Sequence, residues 1–242
     1  MAEQVAAESK NALSVSIYPV LRAWGFTTGS YQVPSDDELT ELLTHTGDAR
    51  ITLEEQMLTV PEDMEIDLGA LVKGYTSDAV MEILRESGVS SAIVSLGGNV
   101  QAMGLKPDGS RWTVGITNPF DTDQNVCTVQ IADAAVITSG NYERFFLDDA
   151  GNAYWHIIDP ADGCPADNGL VSVTVIGESG LRCDALSTAL FVEGTQQAAE
   201  HWRQCDDFEM ICVTDDARLW VTEGIADVFE NLSEMPVEVL RK

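Results

Sequence analysis

The segment FFLDDAGNAYWHII, residues 145–158, is the most informative stretch for the fold class. Two runs rich in aromatic and β-branched residues, Phe145–Leu147 and Tyr154–Ile158, flank the polar turn Asp148–Gly151. Runs of this kind on either side of a short Asp/Gly turn are typical of a β-hairpin. We therefore expect an antiparallel pair of strands at this position.

The same pattern recurs in the flanking sequence. Met210–Val213 and Leu219–Thr222 are separated by a short acidic turn and predict a second hairpin. Because hairpins outnumber strand–helix–strand crossovers, the sequence predicts an α+β fold with mainly antiparallel sheets and packed helices. Further β-rich runs are Ser91–Leu96, Val100–Met103, Trp112–Ile116, Cys127–Ile131 and Val171–Ile176.

Helices are predicted between these strands. Ser35 is a candidate N-cap for a helix that runs through Leu43. Ser77–Glu86 predicts a helix that ends at Gly88. Its apolar stripe is expected to consist of Ala79, Val80, Ile83 and Leu84. The other predicted helices are residues 3–13, Cys183–Val192 ending at Gly194, and Gln196–Gln204.

Composition limits the class of protein. The 242 residues are 45% hydrophobic and carry 13 Lys+Arg against 40 Asp+Glu, a formal net charge of −27. This suits one domain over residues 1–242, and it argues against binding to nucleic acid or an anionic membrane surface. No apolar run is long enough to predict a transmembrane segment. Five cysteines without a CxxC pair predict buried thiols, with neither disulfides nor a zinc knuckle.

Three segments contain candidate chemical groups. Asp184 and Thr188 lie four residues apart on a predicted helix, so both oxygens point from one face and suit Mg²⁺ or Ca²⁺ rather than zinc. The alternative is a helix-capping Asp and a Thr bonded to its own helix. His156 precedes a Pro/Gly-rich turn and is a candidate acid or base, or else a histidine that stabilises the turn. His45 and His201 lack such a context and are predicted to be structural or solvated.

The third segment is Ile66–Tyr75. Gly69 and Gly74 allow close backbone approach, and Lys73 adds a cation next to the predicted helix at Ser77. The segment predicts an anion site, or else an ordinary glycine turn. The strand end at residues 97–99 and the run at 138–144 are weak signals when each is taken alone.

Taken together, these segments resemble the ApbE family of FAD:protein FMN transferases. The motifs occur in one order, and the resemblance covers almost the whole chain from about residue 10. The matching segments are Asp67–Asp78, Gly97–Gly98, Thr138–Arg144, His156–Pro165, Val171–Val175 and Cys183–Thr188.

The resemblance implies a T-fold-like ApbE architecture and a specific reaction. Enzymes of this family cut the pyrophosphate of FAD and move FMN onto a Thr or Ser hydroxyl of a target protein, releasing AMP. The resemblance implies that Asp184, Thr188 and the carbonyl of Ala70 bind Mg²⁺, and that His156 deprotonates or orients the hydroxyl. Residues matched to FAD contacts are Ala12, Leu13, Ser14, Asp67, Lys73 and Ile158.

Several positions depart from the family pattern. Leu13 and Ser14 stand where members often have Phe-Asp, and Ser187 stands where some carry a second Asp. Asp162 replaces the usual Thr and is expected to stabilise a turn. Members usually carry a further segment before the part that matches residue 12. We therefore expect a domain truncated at its N-terminus, with exposed sheet edges.

The resemblance also implies partners. The expected acceptors are like the FMN-bearing subunits of Rnf-type and sodium-pumping NADH:quinone reductases, or FMN-binding domains of extracellular reductases. An exported, cell-surface or periplasmic location is expected on the same basis. Two alternatives are open: a Mg²⁺-dependent FAD pyrophosphatase, in which water replaces the hydroxyl, and a flavin-binding module without turnover. The departure at Ser14 favours the second of these.

Overall fold

The computed structural model covers residues 1–242 and contains five α-helices and fourteen β-strands. The helices are α1 (Ala2–Glu8), α2 (Tyr18–Ala23), α3 (Asp36–Leu43), α4 (Val72–Glu86) and α5 (Gly180–Gln204). The strands are β1 (Thr52–Glu54), β2 (Met57–Thr59), β3 (Ala92–Leu96), β4 (Asn99–Met103), β5 (Trp112–Asn118), β6 (Asp121–Ile131), β7 (Ala134–Gly140), β8 (Phe145–Leu147), β9 (Ala153–Trp155), β10 (Leu170–Gly177), β11 (Phe208–Thr214), β12 (Leu219–Thr222), β13 (Phe229–Asn231) and β14 (Val237–Leu240). None of the five helices combines the length and the apolar composition that a membrane span requires.

A seven-stranded sheet organises the molecule, with the strand order β14-β12-β11-β10-β7-β4-β3. All its neighbouring pairs are antiparallel except β12 and β14, which run parallel. A three-stranded sheet, β13-β6-β5, and the pairs β1-β2 and β8-β9 complete the topology. Both predicted hairpins are present, as β8-β9 and β11-β12, and the predicted α+β class is confirmed.

The large sheet is covered on both faces. On β10, Val173 and Val175 pack into the core that contains α5, whereas Ile176 packs into the core shared with the three-stranded sheet. Successive strand residues point to opposite faces, so these two cores follow from the period of the strand. Burial on both faces explains why β10 is a nearly continuous apolar run.

Helix α4 differs from its predicted form at its start and on its buried face. It begins at Val72 rather than at Ser77, and it buries Gly74, Ser77 and Met81. The side chain of Ile83, which we predicted to be buried, is 61% exposed. The physical reason is a close approach to α5, because a Cβ on Gly74 would lie 2.2 Å from the carbonyl oxygen of Gly180.

Most other helical predictions hold to within a few residues. Ser35 caps α3 by accepting a hydrogen bond from the N–H of Glu38. Gly194 has φ of 77° and interrupts α5 between the two segments predicted as separate helices. The predicted helix over residues 3–13 is shorter and ends at Glu8. Helix α2 and the strands β1, β2, β7, β13 and β14 are not among the predicted elements, and the motif Thr138–Arg144 overlaps only the last three residues of β7.

All five cysteines are free thiols, and three of them are buried. Burial alone raises the pKa of Cys127 and of Cys212 to about 12. These thiols stay protonated at neutral pH and act as small apolar side chains, as predicted.

Candidate active site

One cavity contains all ten residues that the sequence singled out as site residues. It has a volume of about 240 Å³ and lies where the first turns of α4 and α5, the end of β7 and the segments at residues 12–17 and 156–160 converge. The predicted residues that line it are Ala12, Leu13, Ser14, Asp67, Ala70, Lys73, His156, Ile158, Asp184 and Thr188.

Asp184 lies at the buried end of this cavity, with only 5% of its surface exposed. Its Oδ2 accepts a hydrogen bond from the N–H of Gly74 at 2.8 Å, and its Oδ1 accepts one from Asn99 Nδ2 at 3.1 Å. Burial raises the pKa of the Asp184 carboxyl, while these two donors and the charge of Lys73 oppose the rise. A cation at this position would stabilise the ionised form further.

Asp184 is not the cap of its helix, so the alternative of a helix-capping Asp is wrong. Ser179 caps α5 by accepting from the N–H of Arg182. Asp78 on α4 accepts from the N–H groups of Gly180 at 2.7 Å and Leu181 at 2.9 Å. The carboxylate of Asp78 therefore connects α4 to the start of α5. Asp184 has no capping role and lines the cavity.

Asp184, Thr188 and Ala70 line the same cavity, and each can offer an oxygen ligand. Thr188 lies one helical turn from Asp184, and its Oγ1 is 3.3 Å from Ser139 Oγ on β7. The carbonyl of Ala70 accepts no hydrogen bond from the protein, either main-chain or side-chain. A carboxylate, a hydroxyl and a free carbonyl are ligands that Mg²⁺ prefers, so the donor set fits that ion.

Lys73 is connected to this set through Asn99. Its Nζ donates to Asn99 Oδ1 at 3.0 Å, and the Asn99 amide in turn donates to Asp184. Asn99 is 1% exposed, and in the sequence it belongs to the strand end at residues 97–99, which is a weak signal with no role predicted for the amide. Glu143 lines the same cavity, and burial raises the pKa of its carboxyl against the lowering effect of Lys73.

His156 lines the same cavity. Its main-chain N–H donates to the carbonyl of Arg144 at 3.1 Å, and its Nδ1 lies 3.3 Å from the same oxygen. Because a carbonyl can only accept, Nδ1 carries the hydrogen and Nε2 keeps its lone pair. Burial, together with the charges of Arg144 and Lys73, lowers the pKa of His156 to about 4. The imidazole is therefore neutral at neutral pH.

The segment at residues 12–17 is held by a carboxylate that the sequence did not point out. Asp48 accepts hydrogen bonds from Ser14 Oγ at 2.8 Å, Ser16 Oγ at 2.6 Å and the N–H of Val15 at 2.9 Å. Asp48 lies 34 positions after Ser14, and no sequence pattern links the two residues, so the contact could not be predicted. Ser14, which departs from the family pattern, is thus occupied in fixing the wall of the cavity.

Three further residues discussed in the sequence analysis, Asp67, Ile158 and Asp162, shape the cavity or the turns next to it. Asp67 Oδ1 accepts from the N–H of Gly69 at 2.5 Å and shapes the turn before α4. Ile158 is 6% exposed and supplies an apolar wall. Asp162 accepts from the N–H of Cys164 at 2.8 Å, which is the turn-stabilising role predicted for it.

Solved structures share this fold. The ApbE protein of Thermotoga maritima superposes with a TM-score of 0.85 at 31% identity, covering 92% of this chain and 74% of that chain. The flavin transferase ApbE of Vibrio cholerae gives a TM-score of 0.82 at 30% identity, covering 94% and 74%. The fold is therefore that of the ApbE flavin transferases.

Sequence comparison agrees and extends to the family. The model of the ApbE family matches residues 1–212, and the chain belongs to this family. A FAD:protein FMN transferase of Klebsiella pneumoniae is 36% identical over 208 residues, and one of Treponema pallidum is 33% identical over 239 residues. The alignments cover 84% and 92% of this chain, but only 64% and 66% of those relatives.

Proposed function

We propose that the chain transfers FMN from FAD to a Thr or Ser hydroxyl of a target flavoprotein, with release of AMP. The observation that carries the proposal is that one cavity contains the oxygen ligands of Asp184, Thr188 and Ala70, the neutral His156 and every residue matched to an FAD contact. The names of the relatives, FAD:protein FMN transferase, support the same activity.

The lining of the cavity suits the two parts of the substrate. Leu13, Ile17, Phe26 and Ile158 are buried apolar residues that can contact an isoalloxazine ring. The polar part of the wall contains basic side chains, which are scarce in this chain of net charge −27. Lys73 and Arg144 both line it and can approach a pyrophosphate.

Asp184, Thr188 and the Ala70 carbonyl would hold Mg²⁺. Bound there, the ion would neutralise charge that builds up on the pyrophosphate oxygens. The protein contributes the position of these ligands, because Gly74 and Asn99 fix the Asp184 carboxylate and Ser139 lies beside Thr188. Lys73, tied to Asn99, supplies a fixed positive charge next to the same oxygens.

His156 accepts the proton of the acceptor hydroxyl in this proposal. Its Nδ1 hydrogen faces the Arg144 carbonyl, so the free Nε2 is the nitrogen available to the hydroxyl. The bound pyrophosphate offsets the charges of Arg144 and Lys73, which lower the pKa of His156 in the free protein.

The acceptor and the location belong to the same proposal. We propose an FMN-accepting domain like those of Rnf-type or sodium-pumping NADH:quinone reductases or of extracellular reductases. Such acceptors would place the activity outside the cytoplasm, at the cell surface or in the periplasm. Family resemblance supports both statements.

The proposal is tested by incubating the purified chain with FAD, with Mg²⁺ or EDTA, and with or without an FMN-binding acceptor domain. We expect AMP and a covalently fluorescent acceptor only when Mg²⁺ and the acceptor are both present. AMP formation with no labelled acceptor would instead indicate a pyrophosphatase. Tight FAD binding without AMP under every condition would indicate a flavin-binding module.

A further inference from the structure

A second group of side chains of the metal-ligating type lies at the junction of α1 and α5, outside the flavin cavity. One ligand atom each from Glu8, His201 and Cys205 lies within 4.8 Å of the other two. All three residues line a second depression of the surface, which shares Ala12 and Pro160 with the flavin cavity. None of them lines the cavity that contains Asp184 and His156.

His201 is held as metal-ligating histidines usually are. Its side chain is 6% exposed, and its Nδ1 lies 2.9 Å from Oε1 of Glu193, itself only 10% exposed. Its Nε2 is buried and has no hydrogen-bond partner. A carboxylate on one ring nitrogen fixes the tautomer and directs the lone pair of the other toward a ligand. The orphaned Nε2 is therefore a second and independent sign of a bound group.

The backbone brings the three ligands together without strain. His201 lies in the last turn of α5, and Cys205 is the residue that caps this helix at its C-terminus. Glu8 is the last residue of α1, which packs against α5. Its Oε2 accepts from Arg182 at 2.9 Å and its Oε1 from Gln4 at 2.9 Å, and each oxygen keeps a further lone pair.

We propose that Glu8, His201 and Cys205 bind a divalent transition-metal ion of the Zn²⁺ class. Thiolate and imidazole ligands select such an ion over Mg²⁺, which prefers oxygen alone. Bonds of about 2.0–2.3 Å require the ligand atoms to close by roughly 1 Å, which side-chain rotation supplies. Binding releases the proton of the Cys205 thiol to solvent, and a water molecule completes the coordination. The ion would fasten α1 to α5.

Cobalt is the probe, because a thiolate bound to Co²⁺ gives an intense charge-transfer absorption in the near ultraviolet. The freshly reduced full chain is titrated with Co²⁺ alone and again with excess Mg²⁺. We expect the absorption under both conditions, since no cysteine lines the flavin cavity. Cys205→Ser should abolish it, whereas Cys164→Ser, which alters another half-buried thiol, should retain it.

Two milder variants keep the proposal testable if Cys205→Ser fails to fold. Glu193→Gln, which changes the partner of His201, should weaken Co²⁺ binding by about 10–100-fold. Glu8→Gln should weaken it as well and leave a sulfur-to-cobalt absorption at higher Co²⁺. The proposal is overturned if no charge-transfer absorption appears, if Cys205→Ser keeps it, or if excess Mg²⁺ removes it.

Discussion

At the scale of single residues, the site depends on side chains that fix other side chains. Asn99 joins Lys73 to Asp184 and is itself almost completely buried. A buried amide that bridges a cation and a carboxylate keeps both in one geometry, which is what positioning of a phosphoryl group requires. The sequence singles out Lys73 and Asp184 and marks residues 97–99 only as a weak motif, so it does not predict this bridge.

His156→Gln tests the role of the imidazole. The substitution removes the proton acceptor but keeps a polar side chain of similar reach, so the rate of FMN transfer should fall by about 10²–10⁴-fold. FAD affinity, measured by flavin fluorescence, should stay close to that of the wild type. His45→Gln, on an exposed histidine, is the control. An equal loss of rate and affinity would make His156 a binding residue.

Asp48→Asn tests the support of the cavity wall. An amide in place of the carboxylate turns one acceptor toward the N–H of Val15 into a donor, and so weakens the hold on residues 14–16. The KM for FAD should rise by about 5–30-fold, which corresponds to roughly 1–2 kcal/mol, with a smaller change in kcat. Asp149→Asn, in the exposed turn between β8 and β9, should change neither constant.

At the scale of elements, the contact between α4 and α5 builds the ligand set. The helices meet at Gly74 and Gly180, and Asp78 caps α5 across the same contact. This approach brings the N–H of Gly74 within 2.8 Å of Asp184 Oδ2. The segments around Gly74 and Asp184, more than 100 residues apart in the sequence, thus form one site. They can do so because Gly74 and Gly180 have no side chains to keep the helices apart.

Gly74→Ala tests this contact. Its new Cβ would lie 2.2 Å from the Gly180 carbonyl oxygen and 2.7 Å from Asp184 Cβ, so the helices must separate. Unfolding free energy should fall by about 1–3 kcal/mol, and AMP release should fall even where the chain remains folded. Thermal denaturation and the AMP assay check both effects. Glu82→Ala, on the exposed face of α4, should change neither.

The limits of sequence-based prediction are clearest in α4. The start of the helix was predicted five residues late, because Gly74 is a poor helix former and tertiary packing overrides its propensity. Ile83 was assigned to the buried face, although small residues make the close contact with α5. The β8-β9 hairpin, in contrast, was predictable because its alternation and its turn are local.

At the scale of the whole molecule, acidic charge dominates the surface. The net charge of −27 produces self-repulsion in the compact state. Surface ion pairs such as Arg50–Asp63, at 2.7 Å, offset only a small part of it. A substrate with a pyrophosphate therefore depends on local cations, and this is consistent with Lys73 and Arg144 lining the cavity.

Salt should consequently stabilise the protein. Raising NaCl from about 0.01 M to 0.15 M shortens the screening length from about 30 Å to about 8 Å and weakens the long-range repulsion. We expect Tm, measured by differential scanning fluorimetry, to rise over this interval and to level off above it. A Tm that falls with added salt would mean that local ion pairs outweigh the net repulsion.

The whole-molecule architecture was predictable as a class but not in its connections. Hairpins in the sequence indicated antiparallel sheets, and the resemblance supplied the order of the motifs. The parallel pairing of β12 with β14 has no local signal in the sequence. The chain between these strands first forms β13 in the three-stranded sheet and then returns to the large sheet. The contact of Asp48 with Ser14 could not be predicted from the sequence either, because neither residue lies in a repeating pattern.

The central claim is that FAD is cleaved where Asp184, Thr188 and the carbonyl of Ala70 would bind Mg²⁺. The most direct measurement is AMP release by Asp184→Asn and wild type across a Mg²⁺ titration, with FAD binding measured in parallel. Asp162→Asn, which alters an exposed turn carboxylate, is the matched control. We predict that Asp184→Asn loses AMP release at every Mg²⁺ concentration while still binding FAD. Wild-type AMP release by this variant at limiting Mg²⁺ would contradict the account.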